Sequence, residues 1–135
     1  MEDCIFCKIV KGEIPCAKIY EDEKTFVFLD INPVNIGHAL VISKKHFINI
    51  YDTPEDITAG MAKTAKKISR ALQSIGAGGV NIIMNNEKAA GQLVFHTHIH
   101  VIPRFEGDGF IHWHGKRPYK DGEMNEVAKK IISKL

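Results

Sequence analysis

Three histidines that alternate with other residues in one short segment constrain this chain more than any other feature of its sequence. The segment FHTHIHVIPRF spans residues 95–105 and carries His96, His98 and His100. Side chains of a β-strand point alternately to its two faces, so a strand here puts all three imidazoles on one face and a mostly apolar row on the other. Successive imidazoles are then about 6.6 Å apart, which is twice the rise per residue. One phosphoryl group or one metal ion is within reach of two of them.

The composition is typical of a globular protein. A length of 135 residues predicts one domain, residues 1–135, and 44% hydrophobic with 25% charged residues is ordinary for such a domain. The net charge of +2 does not favour a nucleic-acid or membrane partner. The start of the chain, MEDCIFCKIV, lacks the pattern of a signal peptide, so we expect a cytoplasmic protein.

The first half of the sequence predicts a short helix followed by three strands. Residues 3–10 have helical spacing of their apolar side chains, and Gly12 ends that helix. The segment IYEDEKTFVFLDI predicts a hairpin with strands near 17–21 and 24–29. HALVISK, residues 38–44, has the composition of a buried strand.

The second half predicts a long helix, two strands and a C-terminal helix. Thr53 is a predicted cap of the long helix, whose apolar stripe runs from Ile57 to Ile75. GVNIIMN and the histidine segment follow as strands, and a last helix is expected over residues 122–134. The predicted fold class is therefore α+β, with a sheet of about five antiparallel strands and helices on one face.

The three histidines have several chemical interpretations. They could be polar residues on the exposed face of a strand, ligands of a catalytic metal, or a site for nucleophilic attack on phosphorus. The preceding loop favours the third, because Asn85, Asn86 and Gln92 supply amide donors and Gly91 leaves the backbone approachable. Each of these is an ordinary loop residue by itself, and their clustering beside the histidines carries the weight.

The segment HTHIHVIP matches the pattern of a histidine triad, and the match extends well beyond it. It includes CIFCKIVKGEIP near the start, FLDINPVNIGHALVISKKH in the middle and the loop NNEKAAGQ. Over residues 3 to about 105 the sequence resembles the histidine triad (HIT) family, as a bacterial-type member of the branch of the histidine triad nucleotide-binding proteins. The resemblance implies a HIT-like fold with its core in residues 3–105 and a C-terminal arm and helix in residues 106–135.

The resemblance implies a role for each histidine near the predicted site. His98 is expected to attack the α-phosphorus of a nucleotide and form a nucleotidyl-histidine that water then hydrolyses. His100 is expected to contact the phosphate and the leaving group. His38 corresponds to the family's fourth histidine, which supports the triad from a neighbouring strand.

The resemblance also implies a purine nucleotide substrate and the residues that bind it. Asp30 is expected to bind the ribose hydroxyls, while Asn85 and the backbone of Gly91 hold α-phosphate oxygens. Four apolar residues are expected to form the base pocket: Phe6, Ile9, Phe28 and Ile31. From the residues alone, those four predict only ordinary core.

Cys4 and Cys7 form a C-x-x-C pair. The pair could equally be two small buried residues on one face of a helix, without any metal. Some family members with this pair, and the related uridylyltransferases, bind a structural zinc ion through two cysteines and two histidines. The resemblance therefore implies Cys4, Cys7, His46 and His96 as zinc ligands. A closed site of four ligands leaves no position for a catalytic water. No redox cofactor and no magnesium are implied, and the family suggests a homodimer whose two sheets join into one.

One position departs from the nucleotide-binding branch. A serine that helps the leaving group follows the equivalent of Gln92 there, and this chain has Leu93 instead. We expect a hydrolase that cleaves an AMP- or GMP-type nucleotide from an amine, acyl or phosphate group, and Leu93, which has no hydroxyl, disfavours efficient phosphoramidate cleavage. Three alternatives stay open: a zinc hydrolase with His96, His98 and His100 as ligands, a dinucleoside polyphosphate hydrolase, and a regulatory nucleotide-binding protein with slow turnover.

Overall fold

Three α-helices and five strands make up the fold of residues 3–135. A computed structural model describes residues 3–135. The elements follow in the order α1 (Ile5–Val10), β1 (Lys18–Glu21), β2 (Thr25–Leu29), β3 (Ala39–Ser43), α2 (Glu55–Ser74), β4 (Gly79–Ile83), β5 (His98–Arg104) and α3 (Glu123–Ile132). A short 3₁₀ helix, Lys88–Ala90, lies in the loop between β4 and β5.

The five strands form one antiparallel sheet in the order β1-β2-β3-β5-β4. The histidine strand β5 therefore lies inside the sheet, between β3 and the edge strand β4. Leu40 pairs with His100 and Ile42 pairs with His98, so these four side chains share one face. The predicted α+β fold with a five-stranded antiparallel sheet and three helices is confirmed.

The helices α1 and α2 lie on opposite faces of the sheet, and the prediction of helices on one face is wrong. Val27, Val41 and Val101 point to the face that α2 covers with Met61 and Ile68. The opposite face is covered by α1, whose buried Phe6 and Ile9 join a second core: Phe26, Phe28, Leu40 and Ile42. The alternation within β2, β3 and β5 makes both faces apolar, so each needs a helix to cover it.

The long helix α2 differs from its prediction at both ends. It begins after Pro54 without a side-chain cap, because the Thr53 hydroxyl donates to the carbonyl of Asn49 at 2.6 Å instead. At the other end Ile75 lies beyond the last turn and is 81% exposed, so it does not continue the buried stripe. The chain reverses there at Gly76, whose φ of 114° is in the left-handed region.

The C-terminal segment extends from the sheet as an irregular arm and ends in α3. None of the residues of α3 is buried. No helix within residues 3–135 has the length and apolar character needed to cross a membrane.

Candidate active site

The cleft that contains the histidine strand lies on the α1 face of the sheet. Its volume is about 200 Å³, and it is lined by Phe6, Asp30, Leu40, Asn85, Gly91, Leu93, Val94, His98 and His100. Two larger depressions, of about 600 and 770 Å³, lie over the charged face of α2 and beside the C-terminal arm. We place the chemistry in the smaller cleft, because the triad residues line neither of the larger ones.

A backbone carbonyl fixes the orientation and the tautomer of His98. The Nδ1 atom of His98 lies 2.6 Å from the carbonyl oxygen of His96, so Nδ1 carries the proton and donates it. The unprotonated nitrogen is then Nε2, which carries the lone pair. The Phe6 ring meets the imidazole edge-on at a centroid distance of 5.2 Å. His98 is thus a neutral, buried imidazole with one nitrogen available as a nucleophile or base.

A chain of hydrogen bonds also orients His38 and His100. The Val34 N–H donates to Nδ1 of His38 at 3.1 Å, so the proton of neutral His38 is on Nε2. That Nε2 lies 2.9 Å from Nδ1 of His100 and 3.8 Å from a carboxylate oxygen of Asp30. His100 accepts on Nδ1 and therefore carries its own proton on Nε2. The pair is arranged to pass or donate a proton.

Burial keeps these imidazoles neutral. It lowers the pKa of His100 to about 4, with a contribution from the neighbouring His98 and His38. Burial also lowers the pKa of His98, which the hydrogen bond to His96 and the Asp30 carboxylate oppose. The same cause lowers the pKa of His38, against the attraction of Asp30. At neutral pH the cleft therefore presents lone pairs and N–H donors rather than imidazolium charges.

A second cluster lies next to the cleft, where α1 meets the start of β5. The ligand atoms of Cys4, Cys7, His46 and His96 lie within 4.8 Å of one another. Nδ1 of His96 is 3.3 Å from the Cys4 sulfur and 3.5 Å from the Cys7 sulfur. Nδ1 of His46 is 3.4 Å from the Cys7 sulfur. The structure thus brings together the four predicted metal ligands from three separate parts of the sequence.

The geometry of this cluster fits a tetrahedral metal ion. Zinc bonds of about 2.3 Å to sulfur and about 2.0 Å to nitrogen put a sulfur and a nitrogen ligand about 3.5 Å apart. Nε2 of His96 donates to the Ser43 carbonyl at 2.7 Å, which leaves its Nδ1 lone pair facing the thiols. Burial, together with the nearby Cys4, raises the pKa of the Cys7 thiol, a cost that binding to a metal cation would remove.

The three triad histidines do not converge on one point. Among residues 3–135 the groups whose ligand atoms lie within 4.8 Å are the Cys4–Cys7–His46–His96 cluster and a second one of Asp30, His38 and His100. His96 faces the thiols, whereas His98 faces the cleft. This arrangement does not favour a catalytic zinc held by all three.

The predicted base-pocket residues have different environments. Phe6 lines the cleft, while Ile9 and Phe28 are buried beside it in the α1-side core. Ile31 is 87% exposed and is not among the residues that line the cleft. Asp30 lines it with one carboxylate oxygen engaged by the Asn32 N–H at 2.8 Å.

The residues predicted to bind the phosphate also differ in their environments. Asn85 and Gly91 line the cleft, and Gly91 has a left-handed backbone with φ of 86°. The Gly91 N–H donates to the Lys88 carbonyl at 3.0 Å. Gln92 is only 3% exposed, and its carboxamide makes its hydrogen bonds inside the protein rather than in the cleft.

Several residues that shape the site were not predicted. Leu40 faces the cleft because it pairs with His100, which the antiparallel pairing of two predicted strands could have indicated. The Val34 N–H and the Ser43 carbonyl, which set the protons of His38 and His96, are backbone groups with no sequence signal. Leu93, predicted only as a departure, is 90% exposed at the cleft.

A family model for the HIT domain matches residues 11–107 of the chain. The chain belongs to the HIT family. An uncharacterized HIT-like protein of Methanocaldococcus jannaschii is 47% identical over 128 residues, which cover 95% of this chain and 98% of that protein. An adenosine 5′-monophosphoramidase of Schizosaccharomyces pombe is 44% identical over 134 residues, 98% of each chain. An adenylylsulfatase of Arabidopsis thaliana is 47% identical over 107 residues, 78% of this chain and 54% of that protein.

Solved structures of HIT proteins have the same fold. A HIT-family protein from Bacillus subtilis superimposes with a TM-score of 0.90 at 41% identity, covering 98% of this chain and 97% of that one. A zinc-bound histidine triad family protein from Mycobacterium smegmatis gives a TM-score of 0.79 at 39% identity and covers 99% of both chains.

Proposed function

We propose that this HIT protein is a hydrolase that cleaves purine nucleotides of the type AMP–X at the α-phosphorus through a covalent nucleotidyl-His98. The observation that carries the proposal is the hydrogen bond from Nδ1 of His98 to the His96 carbonyl at 2.6 Å. It leaves Nε2 unprotonated in a cleft lined by Asn85, Gly91 and His100. An imidazole held in this way is ready to act as a nucleophile without first losing a proton.

The reaction takes place in two displacements. The Nε2 lone pair of His98 forms a bond to phosphorus, and the bond from phosphorus to X breaks with its electron pair leaving on X. Water then attacks phosphorus and releases a proton to the solvent, the bond to Nε2 breaks, and AMP leaves while His98 regains its lone pair. The Nε2–H of His100 and the carboxamide of Asn85 stabilise the charge on the phosphoryl oxygens. Asp30 binds the ribose, and Phe6 with the neighbouring core residues Ile9 and Phe28 borders the base, with Ile31 at its outer edge.

Two relatives support the AMP half of the substrate and differ in X. The phosphoramidase of S. pombe has a name that specifies a P–N bond, and the adenylylsulfatase of A. thaliana has one that specifies a sulfate leaving group. Leu93 at the rim of the cleft offers no hydroxyl to an amine leaving group. We therefore favour leaving groups that depart as stable anions, such as sulfate, phosphate or a carboxylate, over amines.

Mass spectrometry of quickly quenched reactions tests the covalent step. Intact protein is measured after mixing with adenosine 5′-phosphoramidate, with adenylyl sulfate or with a dinucleoside polyphosphate. We expect a mass increase of one AMP group in the wild type and none in His98→Ala, whose turnover falls by about 10⁴-fold or more. The absence of an adduct together with normal turnover of His98→Ala would contradict the proposal. The substrate with the highest kcat/KM identifies X.

The Cys4–Cys7–His46–His96 cluster is proposed to hold a structural zinc ion. The sulfur–nitrogen distances of 3.3–3.5 Å and the zinc-bound relative from M. smegmatis support it. When bound, the ion would tie α1 to the start of β5 and give His96 a structural task. His96 would then hold its carbonyl in place as the partner of His98.

A homodimer is proposed from the free edge of the sheet. Within residues 3–135 the edge strand β4 has no strand on its outer side, and Ile82 and Ile83 on it are 53% and 41% exposed. Pairing of two β4 strands would cover these side chains and join two sheets into one. Light scattering in solution tests the dimer. We expect the double variant Ile82→Lys/Ile83→Lys to be monomeric. A monomeric wild type would contradict the proposal.

A further inference from the structure

The carboxamide of Gln92 uses all four of its hydrogen bonds inside the protein. Its Nε2 donates to the carbonyls of Ile48 at 2.6 Å and Val94 at 3.1 Å. Its Oε1 accepts from the Glu87 N–H at 2.9 Å and from Asn49 Nδ2 at 3.3 Å. A carboxamide has two donors and two acceptor lone pairs, so this one is saturated. A buried, saturated amide fixes the parts of the chain that it joins.

Two of the four bonds, those with Ile48 and Asn49, join two loops, and the other two lie within the loop that carries Gln92. The first, which we call the His46 loop, comprises residues 44–54 between β3 and α2. The second, the Gly91 loop, comprises residues 84–97 between β4 and β5 and includes Asn85 and Gly91 of the cleft. Two further bonds cross between them: Asn49 Nδ2 donates to the Glu87 carboxylate at 2.8 Å, and the Ile50 N–H donates to Asn86 Oδ1 at 2.8 Å.

The same pair of loops carries two of the four metal-cluster residues. His46 lies two residues before Ile48, the acceptor of the Gln92 amide, and His96 lies near the end of the Gly91 loop. Between them the Thr97 N–H donates to the Phe47 carbonyl at 2.7 Å. A metal ion that holds the imidazoles of His46 and His96 therefore fixes the two loops at one end of their shared hydrogen-bond network. The other end of that network lies beside Asn85 and Gly91, on the phosphate side of the cleft.

We propose that Gln92 is a positioning residue that couples occupancy of the Cys4–Cys7–His46–His96 site to nucleotide affinity by fastening the Gly91 loop to the His46 loop. The inference rests on the zinc and nucleotide sites proposed above. A bound metal ion orders the two loops in advance, so AMP binds without the entropic cost of ordering them. By thermodynamic linkage AMP raises zinc affinity by the same factor that zinc raises AMP affinity.

Titration calorimetry with AMP tests the coupling in zinc-loaded protein and in protein treated with a chelator. We expect zinc to strengthen AMP binding about fivefold or more in the wild type, the lower end of typical couplings. In Gln92→Ala the ratio of the two affinities is expected to fall towards one. A residue that only stabilises the fold would lower the melting temperature and leave that ratio unchanged. Gln73→Ala, at the exposed glutamine of α2, is the matched control and keeps the wild-type ratio.

A second pair of variants covers the case in which Gln92→Ala does not fold. Asn86→Ala removes the bond to the Ile50 N–H, and Asn86→Asp keeps an oxygen acceptor there, so only the second is expected to retain the coupling. If the wild type unfolds without metal, the rise in zinc affinity caused by AMP replaces the first measurement.

Three outcomes overturn the proposal. The first is equal AMP affinity of the loaded and zinc-free wild type, and the second is an unchanged ratio in both Gln92→Ala and Asn86→Ala. The third is a wild type that binds zinc and does not bind AMP, which removes the proposed nucleotide site as well. In the first two outcomes AMP still binds, so the proposed function survives them.

Discussion

The two clusters that meet at the beginning of β5 contain similar residues, yet they differ in where their protons lie. Both bring their ligand atoms within 4.8 Å of one another. In the first, the Ser43 carbonyl accepts a hydrogen bond from the Nε2–H of His96 and leaves the Nδ1 lone pair facing the thiols. In the second, the Val34 N–H occupies Nδ1 of His38 and leaves the proton on Nε2, facing His100 and Asp30.

The comparison shows that a single backbone group decides what a buried histidine can do. A carbonyl behind the imidazole turns a lone pair towards the cluster, which suits a metal ion. An N–H behind it turns a proton towards the cluster, which opposes a metal ion and suits proton transfer. The distances agree, since the 2.9 Å between the two imidazoles of the second cluster is a hydrogen bond, whereas 3.3–3.5 Å in the first fits two ligands of one ion.

The largest expected effect is loss of metal from the first cluster alone. We expect purified wild type to contain nearly one zinc ion per chain and the Cys4→Ser/Cys7→Ser variant to contain none. The free energy of unfolding should fall by roughly 5 kcal/mol, since a structural metal contributes directly to folding. Elemental analysis and urea unfolding measure the two quantities.

The matched control for this prediction is in the second cluster. His38→Gln should keep the zinc, because His38 is not one of the four residues of the first cluster and its Nε2 carries a proton rather than a lone pair. Zinc-free native protein, or loss of zinc in His38→Gln, would break the distinction between the two clusters.

The second effect is on catalysis and concerns the second cluster. The substitution His38→Ala removes the N–H that donates to Nδ1 of His100. Without that hydrogen bond, the proton of His100 is no longer held on Nε2. We expect kcat to fall by about 10²-fold, the lower end of what positioned proton-transfer groups contribute, with zinc content unchanged. Steady-state kinetics with adenosine 5′-phosphoramidate measure it, and His114→Ala in the exposed arm serves as the control. An unchanged kcat would remove His38 from the proton path.

The third effect is a loss of stability in acid. The folded pKa of His100 is lowered to about 4 from 6.5, so the unfolded chain binds the proton more readily between these values. The stabilisation from neutral His100 is present above pH 6.5 and disappears as the pH falls through 4. Because His100 is partly exposed, we expect the difference between pH 7 and pH 4 to be on the order of 1–2 kcal/mol.

Comparison with a variant isolates this contribution from that of zinc release. The free energy of unfolding of His100→Gln, measured by urea at both pH values, should fall less than that of the wild type. A replacement of the exposed His112 by Gln should follow the wild type. Equal losses in wild type and His100→Gln would contradict a neutral His100.

The sequence was sufficient for the secondary-structure elements and for the fold class. Alternation in the histidine strand and the apolar stripe of α2 are local patterns, and they gave the correct α+β fold. The face occupied by α1 was not predictable, because β2 and β3 are apolar on both faces and the short helix can cover either. The four metal ligands were identified only by family resemblance, since His46 and His96 are far from the cysteines in sequence.

What the sequence could not supply is the set of backbone partners. The identities of Val34 and Ser43 do not indicate which nitrogen of His38 or His96 their backbone groups hydrogen-bond. For the same reason Gln92, predicted as an amide donor to the substrate, is buried in a network with Ile48 and Asn49 that depends on how two distant loops pack.

The smallest expected effect concerns Asp30, which could serve either ribose binding or proton transfer. One of its oxygens is 3.8 Å from Nε2 of His38, beyond hydrogen-bonding distance, so its influence on proton transfer is weak. A ribose hydroxyl bound to the carboxylate would instead be a charge-assisted bond, worth about 1.5–3 kcal/mol. For Asp30→Ala we therefore expect KM and the AMP dissociation constant to rise by about tenfold and kcat to change by less than about threefold. Calorimetry and kinetics on the same preparation separate the two, and Asp108→Ala, outside the cleft, is the control. A large fall in kcat with unchanged AMP affinity would move Asp30 from the ribose to the proton path, and the second cluster would then contain a working carboxylate as well as two imidazoles.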